Sequence, residues 1–209
     1  MQDPRSAPEW ERLIVSELLP LLIMCVILAT AGMVQGVSGF GFGLLSVGLL
    51  ALIWPDPKSA TIIPLLPNLA ICGYILWSCR RQIPWATLKG YMVGTVAGVP
   101  LGVLMLREVD LIVVYVGIGT LLIGSGVYGL LPQTRGRPWH RYWLGVPLGL
   151  LTGGLGGAFN TGGPPAIAFF SNQPLNRFQT VAALQAVFLA AGVVRLGSLL
   201  SAGMLPARL

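Results

Sequence analysis

The sequence predicts an all-α integral membrane protein, a polytopic helical bundle of two inverted repeats. Each repeat carries a glycine-rich broken helical hairpin, and about seven or eight membrane segments are expected. Three observations predict this. Of the 209 residues, 55% are hydrophobic and only 10% charged, and the mean hydropathy is +0.78, a balance outside that of soluble domains of this length. All seven acids (Asp3, Glu9, Glu11, Glu17, Asp56, Glu108, Asp110) lie outside the apolar runs, as do all Lys and Arg except Arg195 and Lys89, which stands at the edge of one; the runs are therefore free to cross a hydrocarbon core of about 30 Å. Two glycine-rich stretches then interrupt those runs: GMVQGVSGFGFG at 32–43 and GLLTGGLGGAFNTGGPP at 149–165. Gly32, Gly36 and Gly39 recur as Gly149, Gly153 and Gly156 at a common offset of 117. So much glycine and proline is expected to break the helix. Open backbone at membrane depth survives only when buried in protein or lining a wet cavity. Paired interruptions in two halves of a membrane protein point to a transporter's binding site.

Taken in order, residues 1–17 form an extramembrane segment with no cationic-then-apolar signal pattern, so the first span is expected to be retained. The first repeat covers 18–131. Its first run, 18–35, is preceded by Trp10 and Arg12 as interfacial anchors. The second, 37–54, follows after almost no loop, which makes a tight hairpin pivoting on 36–43 and ended by Trp54-Pro-Asp-Pro. The third, 60–79, contains Pro64, Pro67 and Asn68, so its first half is expected to be kinked or unwound. In the fourth, 88–106, Gly90, Gly94, Gly98 and Gly102 form a small-residue seam for a close helix neighbour. The fifth, 111–131, is closed by Pro132, and a basic loop at 132–142 (Arg135, Arg137, His140, Arg141) follows.

The second repeat covers 143–209. Its pieces 143–152 and 164–172 are each too short to span, so a shortened helix and a discontinuous one should meet at 160–165. The run 181–200 carries Arg195, the one cation away from the edge of an apolar stretch. At the 117 offset the fourth and fifth runs would recur at about 205–248, so this repeat is expected to be incomplete. Loop cations (Arg80, Arg81, Lys89; Arg135, Arg137, Arg141) place 80–89 and 132–142 in the cytoplasm and the N-terminus outside. Five crossings then separate the two hairpins, which inverts one repeat relative to the other, as alternating access about a midplane site requires.

Composition narrows the function. No basic cluster is interleaved with aromatics, so the net charge of +6 reflects loop cations, and nucleic acid is not an expected partner. Cys25, Cys72 and Cys79 have no disulfide or metal-ligand spacing, and no cofactor is expected. Helices that begin beside glycine breaks present unpaired amides and a positive dipole end, which suits an anion. Ser38, Gly39 and Gly41 in the first hairpin, and Asn160, Thr161, Gly162 and Gly163 in the second, are therefore the candidate substrate-binding residues. The competing reading is that the glycines only permit close helix crossing; Asn160 and Thr161 beside Pro164-Pro165 favour a site.

Asn68 and Gln185, also 117 apart, either bridge helices or line the path. Arg195, five residues before the end of its run, either snorkels to the interface or attracts an anionic substrate. Gln35 stands at the mouth of the first hairpin, outside the candidate set. Gly36-Val-Ser-Gly39 fits the G-x-S-G pattern of intramembrane serine proteases, but the only histidine, His140, lies in a polar loop and no Lys, Asp or Glu is buried to act as base. An enzyme is not expected. A structural or assembly subunit, with seams serving helix association alone, is the alternative to transport.

The two glycine hairpins, each followed by a span containing polar residues, resemble the sulfite exporter TauE/SafE family over about residues 32–200, with NTGGPP the most specific part. The resemblance implies a multi-pass transporter of the bacterial inner membrane, moving small anions such as sulfite, sulfonates and related organic anions. Its partners would be that anion and the lipid bilayer, with a homo-oligomer left open. Family members often run longer, and a run of adjacent glycines is commoner where this chain reads Gly39-Phe-Gly-Phe-Gly43.

Overall fold

The computed structural model describes residues 18–54, 57–130 and 144–203. The N-terminal segment with Trp10 and Arg12, residues Pro55 and Asp56, and the basic loop with Pro132 and His140 lie outside the described residues. Within them the chain is helical throughout: α1 (Leu19–Ser38), α2 (Phe42–Ile53), α3 (Pro57–Ile62), α4 (Leu65–Cys79), α5 (Trp85–Glu108), α6 (Leu111–Leu130), α7 (Gly145–Phe159), α8 (Gly163–Ser171) and α9 (Arg177–Ser201). A single 3-10 turn, Arg80–Gln82, joins α4 to α5.

Four of the described segments are long and apolar enough to cross a membrane: Leu19–Ser38, Lys58–Gln82, Trp85–Glu108 and Arg177–Ser201. Phe42–Ile53 and Gly145–Phe159 are shorter apolar helices. The outer faces suit lipid, since Val37 is 79% and Leu52 83% exposed, an arrangement water would penalise. Hydroxyls on these helices fold back onto their own carbonyls: Thr30 donates to Val26, Ser78 to Tyr74 and Ser198 to Val194. That hides the donor from hydrocarbon at little cost to the helix.

Where proline or paired glycine removes the local reason for helix, the chain turns. α3 and α4 are separated by a turn at Ile63-Pro64, as the prolines of the third run predict. α2 stops at Ile53, with Trp54 extended ahead of Pro55. α9 opens on a capping box, in which the Asn176 side chain accepts from the Gln179 N–H and the Gln179 side chain accepts from the Asn176 N–H.

One expectation changes here. The glycines at 149–157 do not break α7, which is continuous to Phe159; only Asn160, Thr161 and Gly162 interrupt it. They form a packing seam instead. Gly145, Gly149, Gly153 and Gly157 on α7 interlock with Gly90, Gly94, Gly98 and Gly102 on α5. A methyl group at Gly94, Gly98 or Gly102 would run into the carbonyl oxygens of Val146, Leu150 or Gly154, and one at Gly149, Gly153 or Gly157 into those of Tyr91, Thr95 or Val99. Backbones this close exchange dispersion and Cα–H···O contacts, which drive helix association where lipid supplies no hydrophobic force. Beneath the seam, Tyr91 hydrogen-bonds Thr152 across the two helices and stacks with Phe169 and Phe170 of α8, at centroid distances of 4.9 Å each. α9 packs against α4, α5 and α8, completing the scaffold around both breaks.

Candidate functional site

Each break is a helix end in left-handed backbone followed at once by a new helix. In the first, Gly39 (φ 83°) caps α1, its N–H donating to the Gln35 carbonyl at 2.8 Å, and Gly41 (φ 105°) precedes α2. Both angles favour glycine. In the second, Asn160 (φ 58°) caps α7, its N–H reaching the Gly156 carbonyl at 3.0 Å, and Thr161 N–H reaches that of Leu155 at 3.5 Å. Asparagine is among the few other residues that accept this conformation. Gly163 then starts α8, with Pro164 and Pro165 pre-set for its first turn.

Gly39 and Asn160, which play the same part, are 121 residues apart, not 117. The same offset of 121 pairs Gly32 with Gly153, Gly36 with Gly157 and Gly41 with Gly162. A glycine row that repeats every four residues matches itself again after one helical turn, so the glycines alone fit either offset.

The two breaks meet. A side chain at Gly43, the second residue of α2, would collide with the Asn160 carbonyl oxygen. Beside this crossing lies an open cleft of about 520 Å³, a volume that takes in the solvent at its mouth. Of the candidate residues, Gly41, Asn68, Asn160, Thr161, Gly162, Gly163 and Arg195 line it. Ser38, Gly39 and Gln185 do not. The Ser38 hydroxyl is spent on the carbonyls of Val34 and Phe40, at 2.7 and 2.6 Å. Gly39 turns its carbonyl to Gln185, which is buried behind the elbow. An apolar wall is made by Leu44, Phe188 and Ala191.

Two polar atoms at the cleft have no hydrogen-bond partner among the described residues although both are buried: Asn160 Nδ2 and Thr161 Oγ1. Such atoms are uncommon, and each costs about 1–3 kcal/mol if left unpaired. The prolines of α8 lack N–H groups, so that helix start offers fewer amides than its position alone promises. α2 contributes more: Phe42 N–H is bound to Gln35 and Leu45 N–H returns to Gly41, which by helix geometry leaves Gly43 and Leu44, both at the cleft.

Arg195 is 1% exposed and does not snorkel. Its Nε donates to the Gly157 carbonyl at 2.9 Å, Nη1 to the Thr61 carbonyl at 2.9 Å, and Nη2 to Thr61 Oγ1 at 3.2 Å and the Ala158 carbonyl at 3.4 Å. These carbonyls sit at the C-terminal ends of α3 and α7, where the helix dipole is negative. No carboxylate faces the guanidinium among the described residues, so partial charges hold a full one.

Gln35, which the sequence ranked below the candidate set, is buried, lines the cleft and contacts Phe42, Cys72 and Gln185. The available signal was an amide inside an apolar helix, which must find partners in protein. Thr152 and Gly156 also line the cleft and were read only as part of the glycine stretch.

Helices long and apolar enough to cross a membrane, with two helix breaks that meet beside a polar cleft, define a multi-pass membrane protein. The chain belongs to the sulfite exporter TauE/SafE family, whose sequence pattern it matches over residues 23–209. It is similar to the protein described as "Probable sulfite/organosulfonate exporter TauE" of Cupriavidus necator, at 27% identity over 187 residues, covering 85% of this chain and 71% of that one. No solved structure matches it.

Proposed function

We propose that this protein exports a small anion, sulfite or an organosulfonate, across the bacterial inner membrane by alternating access. Two inverted repeats, with seven or eight crossings in all, would rock about the cleft where the elbows meet. The observation that carries this reading is the pair of buried, unpartnered groups, Asn160 Nδ2 and Thr161 Oγ1, in a cleft that also holds the Arg195 cation. An anion's oxygens would accept from Asn160 Nδ2, Thr161 Oγ1 and the Gly43 and Leu44 amides, while Arg195 supplies charge attraction in a low dielectric. The apolar wall of Leu44, Phe188 and Ala191 leaves room for a short organic tail.

No acid lies within an apolar run, so a relay of buried carboxylates is not available to carry protons. Net charge would then move with the substrate, and the membrane potential would act on it at about 2.3 kcal/mol per charge per 100 mV. The test is flux from proteoliposomes loaded with labelled sulfite, sulfoacetate, taurine or acetate. Protein-dependent efflux of an anion, faster when the interior is made negative, is expected. Equal leakage with and without protein for every solute would favour the structural-subunit reading instead.

A further inference from the structure

The first elbow is closed by a ring of hydrogen bonds that anion binding does not itself use. Gln35 Oε1 accepts from the Phe42 N–H at 3.2 Å, and its Nε2 donates to Gln185 Oε1 at 3.2 Å and to Cys72 Sγ at 3.1 Å. Gln185 Nε2 donates to the Gly39 carbonyl at 2.8 Å, and the Gly39 N–H closes the ring on the Gln35 carbonyl at 2.8 Å. Both side chains are almost wholly buried. Their orientations are dictated by their partners. The Phe42 N–H can only donate, so Gln35 turns its oxygen there and its nitrogen to Gln185; the Gly39 carbonyl can only accept, so Gln185 turns its nitrogen there and its oxygen to Gln35. The two assignments agree, and flipping either amide would set like groups face to face at two places. From Cys72 the connection continues through Sγ to Asn68 Oδ1 at 3.4 Å, and Asn68 lines the cleft.

We propose that Gln35 and Gln185 are positioning residues that fix the first elbow and so aim the Gly43 and Leu44 amides at the bound anion. This rests on the anion-transport reading above. Gly41 at φ 105° gives α2 a flexible joint, because a glycine has few steric limits on the angle at which the next helix leaves. The ring removes that freedom from both sides: Gln35 holds the first amide of α2, and Gln185 holds the Gly39 carbonyl, two residues before the joint. Neither side chain can do this alone, since each orients the other.

The experiment compares wild type, Gln35→Met, Gln185→Met and the double variant in proteoliposomes, measuring sulfite flux across a range of concentrations. Methionine keeps the volume and removes the hydrogen bonds. Each single change should raise KM about tenfold with kcat little altered, and the double change should raise it no further, because either break opens the same ring. Gln185→Asn keeps the amide but falls one methylene short, and should match Gln185→Met; it carries the test if a methionine variant fails to reach the membrane. Wild-type flux with KM unchanged in the variants, or a double variant in which the two effects multiply, overturns this proposal alone. Absence of any wild-type anion flux overturns the transport reading and this proposal with it.

Discussion

Removing the Asn160 side chain is expected to abolish stabilisation of the protein by small anions while leaving it inserted in the membrane. At 100 times its dissociation constant, a ligand that binds only the folded state adds about 2.7 kcal/mol, which a thermal-shift assay resolves readily. Asn160→Leu should lose that shift, but leucine also strains the left-handed backbone at φ 58°, costing about 1–2 kcal/mol even without anion. Asn160→Gly separates the effects, since glycine accepts the angle freely and deletes only the amide. Thr161→Val provides the converse. It replaces a buried hydroxyl that has no partner among the described residues, so the anion-free protein should become more stable by about 1–3 kcal/mol while anion stabilisation falls. Opposite signs for resting stability and binding are the mark of a group kept for a ligand. A Thr161→Val protein that is less stable and binds as before would show that the hydroxyl serves packing.

The second large effect lies at two adjacent glycines on α7. Gly153→Ala should destabilise by about 3 kcal/mol and sharply reduce accumulation in the membrane, at the upper end of overpacking costs. The added methyl would meet the Thr95 carbonyl oxygen and lie 2.9 Å from the Val99 nitrogen, all of it backbone that cannot rotate away. Gly154→Ala, one residue on, meets nothing within 4 Å and should be neutral or gain up to about 1 kcal/mol of helix propensity. Thermal unfolding in detergent, read side by side, checks the pair. Equal effects at the two positions would mean that α5 and α7 do not interlock as described.

The membrane runs could be read from the sequence because hydropathy and the exclusion of charge are properties of the chain itself. Pro64 and the Trp54-Pro pair marked turns for an equally local reason, whereas Pro67 sits within the first turn of α4. The α7 glycines were misread because glycine has two meanings in an apolar helix, a break or a place where another backbone comes close, and only the partner decides. That partner was visible as the four-residue row on α5, yet nothing in either row says which row it meets. The offset carries the same degeneracy: the glycine rows pair Gly39 with Gly156, while the left-handed cap is shared by Gly39 and Asn160. At the site, Asn160 and Thr161 stood out because polar residues beside paired prolines need a purpose in lipid. Gln185 and Gln35 were harder to place. Whether a buried amide faces a ligand or braces a backbone depends on contacts between α1, α2, α4 and α9 that no spacing encodes. Arg195 shows the limit from the other side: its distance from the helix end suited snorkelling, while the carbonyl ends of α3 and α7 that hold it came from elsewhere in the chain.

The central claim is that both elbows contribute to one anion site. Crystals grown with selenite, a heavier analogue of sulfite, would locate the anion by its anomalous scattering. A single strong selenium peak is expected in the cleft, within hydrogen-bond distance of Asn160 Nδ2 and Thr161 Oγ1 and next to the Gly43 and Leu44 amides. A selenium peak bound elsewhere, with the cleft closed over aliphatic side chains, would contradict it.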